Sequence, residues 1–196
     1  MKTVQLRYVL VSALVVSALL LPPALAGGSK GDKTRFEMRV GGDDLGMGSV
    51  AGDSTIAGFA ARYGISRSLA RVIYETAVAY GVEPAIVFGL IATESTFNPR
   101  AMGRAGALGL MQIKPSTARI YDRRITREQL LSPEINLRLG LRHLLREFEH
   151  FGRDWTLGLL AYNMGRTRLS RALDRGRVPR TAYADKVLAH CEDPCS

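Results

Sequence analysis

The chain reads as an all-α fold preceded by a region of different character, and three observations carry that reading. From residue 55 onward apolar residues recur at spacings of three and four. Helix-starting Ser, Thr or Asp and helix-stopping Gly punctuate the pattern at ordinary helix lengths. Beyond that point no run with a period of two has comparable strength, and no stretch repeats at a fixed interval.

The first 26 residues stand apart. Lys2 and Arg7 form a short basic head, Val9 to Leu21 is apolar apart from two serines, and Ala24-Leu25-Ala26 supplies small residues for cleavage. Residues 1–26 are therefore expected to be a secretory signal peptide, with membrane contact only in transit during export. The apolar run falls short of the roughly 20 residues that span a bilayer, and Pro22-Pro23 closes it. Cleavage leaves about 170 residues, enough for one domain with a real core. The net charge of +9 becomes +7 without Lys2 and Arg7, which suits an anionic partner. Cys191 and Cys195 are the only cysteines. In an exported chain they can pair, although so short a loop adds little by entropy.

Residues 27–53 hold eight glycines and little apolar period, the composition of a flexible lead-in. Inside it, Arg35-Phe36-Glu37-Met38-Arg39-Val40 alternates as a half-buried strand does, and such a strand needs a partner edge. The domain proper is expected over residues 54–196, with its core at about 66–190.

Ser66 caps a helix running to Tyr80, with Leu69, Val72, Ile73, Thr76 and Ala77 on one face and Gly81 as its stop. Pro84 opens the next helix, which carries Ile86, Val87, Leu90 and Ile91 to Glu94. Thr126 and Gln129 fit a capping box on a short helix. Ser132-Pro133 opens a longer one with a broad apolar stripe through Ile135, Leu139, Leu141, Leu144, Leu145 and Phe148. Asp154 caps a helix from Trp155 to Asn163, with Gly165 past its end. Helical segments over residues 167–174 and 181–190 complete the series.

Glu94 stands out among these. It follows Leu90 by four residues, Ile91 by three and Val87 by seven, which puts a carboxylate on the stripe facing the core. It also sits in the last helical turn, where the macrodipole disfavours negative charge. Both effects raise a carboxyl pKa, as a general acid working near neutral pH requires. The other reading is a side chain that swings past the helix end into water. Asn98-Pro99 then turns the chain, and Gly103, Gly106 and Gly109 let it fold back closely on the helix end. Leu110-Met111-Gln112-Ile113 follows and can line a cleft with one amide that both donates and accepts.

Three blocks, Glu94-Ser95-Thr96-Phe97-Asn98-Pro99, Gly106-Ala107-Leu108-Gly109-Leu110-Met111-Gln112-Ile113 and Ala161-Tyr162-Asn163-Met164-Gly165, resemble the lytic transglycosylase family in order and spacing. The likeness is to the soluble lytic transglycosylase domain with its goose-type-lysozyme-like fold, and it covers residues 66–190. It implies cleavage of the β-1,4 bond between N-acetylmuramic acid and N-acetylglucosamine in peptidoglycan strands, ending in a 1,6-anhydro sugar. Glu94 would act as acid and then base, and Ser95 would orient Glu94 or an acetamido group. Met111 and Gln112 would line the cleft, Tyr162 and Asn163 the sugar site, and the Tyr183 hydroxyl would reach the Glu94 carboxylate. The sequence departs from the family pattern at Ala184, Met164 and Arg166, where Val, Ala and Pro are commoner. Without the resemblance, Met111 and Tyr162 read as core packing. Two carboxylates about 5 to 9.5 Å apart serve ordinary glycosidases, whereas these blocks hold one. The resemblance implies no cofactor.

His143, Glu147 and His150 share a helix but lack the spacing of a zinc motif, so they read as a solvated face and not a metal site. Arg166, Arg168, Arg171, Arg175, Arg177 and Arg180 crowd one segment, with Asp174 its only acid. This is a basic solvent face or an attraction to anionic wall polymer or membrane. Nucleic acid is excluded by export and by the lack of interleaved aromatics. The sequence thus leads to an exported enzyme of the periplasm or cell envelope acting on peptidoglycan. A hydrolytic muramidase on the same fold is one alternative. The other is a non-catalytic wall-binding component of a secretion or conjugation assembly, with residues 29–53 as the partner contact.

Overall fold

A computed structural model describes residues 47–177 and 179–191. The expected signal peptide, the strand-like stretch 35–40 and Cys195 lie outside the described residues. Cys191 is disulfide-bonded.

Eight α-helices carry the fold among the described residues, and no strand occurs beyond two isolated antiparallel bridges. Helix α1 (Met47–Tyr63) starts ahead of residue 55, so the end of the expected lead-in is helical. Helix α2 (Arg67–Ala79) begins where Ser66 accepts from the Leu69 N–H at 3.2 Å and ends before Gly81, whose φ is +65°. Its inner stripe is Ala70, Ile73 and Ala77, while Leu69 and Val72 flank it half-buried.

Helix α3 (Pro84–Glu94) opens on Pro84 and has no polar face through Ile86, Val87, Phe88, Leu90 and Ile91, all fully buried. Each such side chain contributes about 1.5–3 kcal/mol on burial, and α3 packs against α2 and α8. Aromatic rings from α1 cover its start: Phe59 stacks on Phe88 at 4.1 Å between centroids, and Tyr63 lies 5.5 Å from Phe88.

A short turn of helix, α4 (Pro115–Ala118), leads toward the predicted capping box. There Gln129 N–H donates to Thr126 Oγ1 at 3.2 Å, and Thr126 N–H donates to Gln129 Oε1 at 2.9 Å, although the helix they cap is a single 3-10 turn. Helix α5 (Pro133–His150) follows Ser132 and buries Leu137, Leu139, Leu141 and Leu144 with Asn136 and Glu147 among them. Helix α6 (Trp155–Met164) is capped by Asp154, which accepts from the Leu157 N–H at 2.9 Å. Helices α7 (Arg166–Asp174) and α8 (Ala182–Leu188) complete the domain.

Two features position the segment between α3 and α4. The first is Asn136, fully buried, whose amide nitrogen donates to the Leu108 and Leu130 carbonyls at 2.8 Å each, while its oxygen accepts from the Met111 N–H at 2.8 Å. The second is Gly109, with φ +75°, where an added Cβ would stand 2.3 Å from the Asn136 amide nitrogen and 2.6 Å from the Leu130 oxygen. One side chain thus clamps the loop onto α5, and only glycine lets the loop come that close.

Leu108 O keeps a second donor in the Ile113 N–H, but among the described residues the Met111 N–H and the Leu130 carbonyl bond to Asn136 alone. Asn136→Ala orphans both at about 1–3 kcal/mol each. Urea unfolding should therefore show a loss of about 2–6 kcal/mol, and a loss below about 1 kcal/mol would mean the clamp is held by something else.

Candidate active site

Glu94 is the last residue of α3, and its side chain is half-buried. The chain leaves the helix through Ser95, then Thr96 and Phe97 in left-handed conformations with φ of 50° and 60°. Non-glycine residues adopt that region at a cost and only where their surroundings compel it. Here the Phe97 ring is inserted near Tyr63 at 4.9 Å and Phe88 at 6.1 Å, which pays for the bend. Asn98 closes the turn by accepting from the Arg100 N–H at 2.9 Å.

Burial holds the Glu94 carboxyl above its ordinary pKa, and a hydrogen bond from the Tyr183 hydroxyl to Oε1 partly opposes that shift. No second carboxylate acts on Glu94 among the described residues. Tyr183 reaches it because α8 packs directly on α3. At Gly89 an added Cβ would be 2.4 Å from the Val187 carbonyl oxygen and 2.9 Å from the His190 ring, so the absence of a side chain sets the depth of α8. Burial, then the Glu94 charge, pushes the Tyr183 hydroxyl far above its ordinary pKa, and it stays a donor. Asn163, at the end of α6, lies beside that hydroxyl and opposes the shift. Tyr162 donates to the Met111 carbonyl at 2.7 Å, and burial and then Glu94 raise its pKa too.

Glu94, Tyr183, Tyr162 and Asn163 are therefore brought together. Three other expected residues take different parts. The Ser95 hydroxyl donates to the Leu110 carbonyl at 2.7 Å, so it ties the loop to the helix end instead of touching Glu94. Gln112 donates to the Gly109 and Ala101 carbonyls at 2.9 and 3.2 Å, which engages its amide nitrogen within the loop. Met111, expected to line the cleft, is fully buried. Its sulfur packs at Gly140, where an added Cβ would be 2.3 Å away, so its share in the site is its carbonyl oxygen.

The expected solvated face of His143 and Glu147 needs correction. Glu147 is 3% exposed and receives two hydrogen bonds from Arg166, at 2.8 and 2.9 Å. His143 is half-buried, its ring 5.3 Å from that of Tyr162 and its Nδ1 3.2 Å from the Tyr121 hydroxyl. Burial depresses its pKa despite Glu147 and keeps it neutral. His150 alone is exposed. The signal was available, because Glu147 follows Leu144 by three residues on the buried stripe, as Glu94 follows Ile91. Asn136 carried a similar signal between Ile135 and Leu137. No group of three or more His, Cys, Asp or Glu that could hold a metal occurs among the described residues.

Residues 71–182 match the family model described as Transglycosylase SLT domain. The chain is 35% identical over 103 residues to a soluble lytic murein transglycosylase of Salmonella typhimurium, covering 48% of this chain and 16% of that protein. It is 40% identical over 73 residues to an endo-type membrane-bound lytic murein transglycosylase A of Klebsiella pneumoniae, covering 34% of this chain and 36% of that one. A solved structure of an inactive Glu-to-Gln mutant of the lytic transglycosylase Slt from Pseudomonas aeruginosa superposes with a TM-score of 0.54 at 26% identity, over 61% of this chain and 22% of that one. The chain thus spans well under half the length of these relatives. Among the described residues no helix is long and apolar enough to cross a membrane.

The raised pKa of Glu94 has a consequence for stability. A carboxyl whose folded-state value exceeds its ordinary 4.5 destabilises the fold once ionised. That penalty is absent below the unfolded value, grows as pH rises through it, and is complete above the folded value. Glu94→Gln should therefore melt higher than the parent at pH 7, with the gain vanishing as pH falls through the ordinary carboxylate range. A lower melting temperature at pH 7 would show that the carboxylate supports the fold.

Proposed function

The chain belongs to the transglycosylase SLT domain family, and we propose that it is a peptidoglycan lytic transglycosylase with Glu94 as its one acid and base. The observation that carries this is a half-buried carboxyl of raised pKa, held by a tyrosine and acted on by no other carboxylate among the described residues. A two-carboxylate glycosidase needs a partner that this site does not provide. The relatives' names as lytic murein transglycosylases and the inactive Glu-to-Gln mutant of the Pseudomonas aeruginosa enzyme support the same reading.

Tyr183 donates to Oε1, so the acid proton resides on Oε2. Protonated Glu94 gives that proton to the glycosidic oxygen as the bond to the muramic acid anomeric carbon breaks. The substrate's own N-acetyl oxygen stabilises the cationic centre, as in substrate-assisted glycosidases. The carboxylate then takes the proton of the muramoyl 6-hydroxyl as that oxygen bonds to the anomeric carbon. Glu94 ends protonated, water is not consumed, and the products are a free 4-hydroxyl and a 1,6-anhydro end. Asn163, exposed beside Tyr183, offers its amide to an N-acetyl group. Ser95 serves through the loop it anchors, and the Gln112 oxygen is the part of that amide left for sugar. The substrate places the protein in the cell envelope, in keeping with the signal-peptide character of residues 1–26. A contact of residues 29–53 with a secretion or wall-assembly protein is part of this proposal, supported by the strand-like alternation of residues 35–40, which needs a partner edge.

Mass spectrometry of fragments released from purified sacculi by residues 27–196 tests the reaction. Anhydro ends, lighter by one water than reducing ends, are expected, and Glu94→Gln should lower release by about 10²–10⁴-fold while retaining the fold. Reducing ends would make the enzyme a hydrolase, and undiminished release by Glu94→Gln would remove Glu94 from the mechanism.

Tyr183→Phe removes the hydrogen bond that favours the Glu94 carboxylate, so the Glu94 pKa rises further. Activity requires protonated Glu94 at the outset, and the alkaline limb of the kcat/KM profile reports its ionisation. That limb should move to higher pH while the maximum falls about tenfold or more. An unmoved limb would separate Tyr183 from the titration of Glu94.

A further inference from the structure

Next to this site lies a groove of about 640 Å³ between the end of α6 and the outer face of α7. Arg166, Arg168, Arg171, Arg175 and Arg177 line it, and no carboxylate does. We propose that this groove is an anion-binding extension of the glycan cleft, which takes the carboxylates of the peptide stems borne by muramic acid. The inference rests on the glycan-cleaving reading above.

Four features converge on it. Arg168, Arg171, Arg175 and Arg177 are exposed and form no ion pair among the described residues, so their mutual repulsion is relieved by a bound anion. Arg166 is different: two hydrogen bonds to Glu147 hold its guanidinium in place. Helix α7 starts in the groove with Gly165 as its N-cap, and Gly165 has no side chain to accept from the first-turn N–H groups. The Arg168 N–H bonds to the Gly165 carbonyl at 3.1 Å, and the Arg166 and Thr167 N–H groups at the positive end of the helix add to the arginines. Finally, Gly165 is two residues from Asn163, which lies beside Tyr183, so the groove begins within about 8 Å of the sugar-facing amide along the chain. An extended peptide of a few residues spans that distance at about 3.3 Å per residue.

The concave form favours a branched anionic peptide over a membrane, because a flat lipid surface meets only the rim of a groove. Arginine forks match carboxylates in pairs, which suits a stem with several of them.

The test has a binding arm and a kinetic arm. Calorimetric titration of Glu94→Gln with a synthetic stem tetrapeptide bearing free carboxylates should give binding that weakens about tenfold when Arg168, Arg171 and Arg175 are all changed to Gln. Fully amidated peptide should bind no better than that variant. In the active enzyme, the same three changes should raise KM about tenfold on stem-bearing strands and leave turnover of amidase-stripped strands unaltered. Equal loss on both substrates, or no loss on either, would overturn the proposal. So would an effect confined to sedimentation with vesicles of anionic phospholipid, which would assign the groove to a membrane. Absence of anhydro products from the parent enzyme would defeat the proposed reaction instead, and the peptide titration of Glu94→Gln stands independently of it.

Discussion

A carboxyl group withdrawn from water at the carbonyl end of a helix must be solvated by the protein, and here a single phenol does so. The bond from Tyr183 to Glu94 is the contact that the packing of α8 on α3 makes possible. Its geometry is inherited from packing: Gly89 lets the Val187 backbone approach α3, and Ala184 and Val187 are fully buried between them. Ala184 also departs from the commoner valine of the family pattern. Its small side chain sits at full burial one residue from Tyr183, so the departure lies in the packing layer and leaves the hydroxyl's reach intact. A donor that can never ionise near neutrality suits this task. It stabilises the ionised carboxyl without competing for its proton.

The opposite wall of the site is made of backbone, and it is held by side chains that point inward. Asn136 fixes Leu108, Leu130 and Met111, Ser95 fixes Leu110, and Tyr162 fixes Met111 from the other side. The loop from Asn98 to Ile113 has few regular hydrogen bonds of its own, only two isolated bridges and a handful of turns. Its order comes from these external anchors, which is why Ser95 stands next to Glu94 with its hydroxyl bonded to the loop. Left-handed Thr96, Phe97 and Gln112 mark where the chain is bent against its preference to meet them.

Much of this was legible in sequence where a local rule applied. Ser66, Asp154 and the Thr126–Gln129 box announced their helices because capping is a contact between near neighbours. Glu94 was legible by spacing, since a carboxylate on a buried stripe conflicts with its own chemistry. The same test applied to Asn136 and Glu147 would have found both, but an amide among leucines and a glutamate among histidines have ordinary surface explanations. Ser95 and Gln112 could not be resolved, because their partners are carbonyls brought close by the loop's tertiary path. Met111 marks the limit of a motif: the block identifies the position, and only the packing against Gly140 tells side chain from carbonyl. The start of α1 was hidden by glycines, whose low helix propensity is outweighed by the packing of Phe59 and Tyr63 on α3.

Arg166 unites two features that the sequence left separate, a departure from the family pattern and a glutamate in the wrong place. A glutamate 3% exposed on α5 is costly alone, and a bidentate arginine offsets that cost while leaving the pair little net stability. Such a pair contributes register. It fixes the first residue of α7 against α5, with His143 and the Tyr162 ring packed alongside. Proline at this position would start the helix as well but could not hold Glu147, so the two residues make sense only together. The pair therefore sets the direction in which α7 leaves the site, and with it where the remaining arginines stand relative to Asn163.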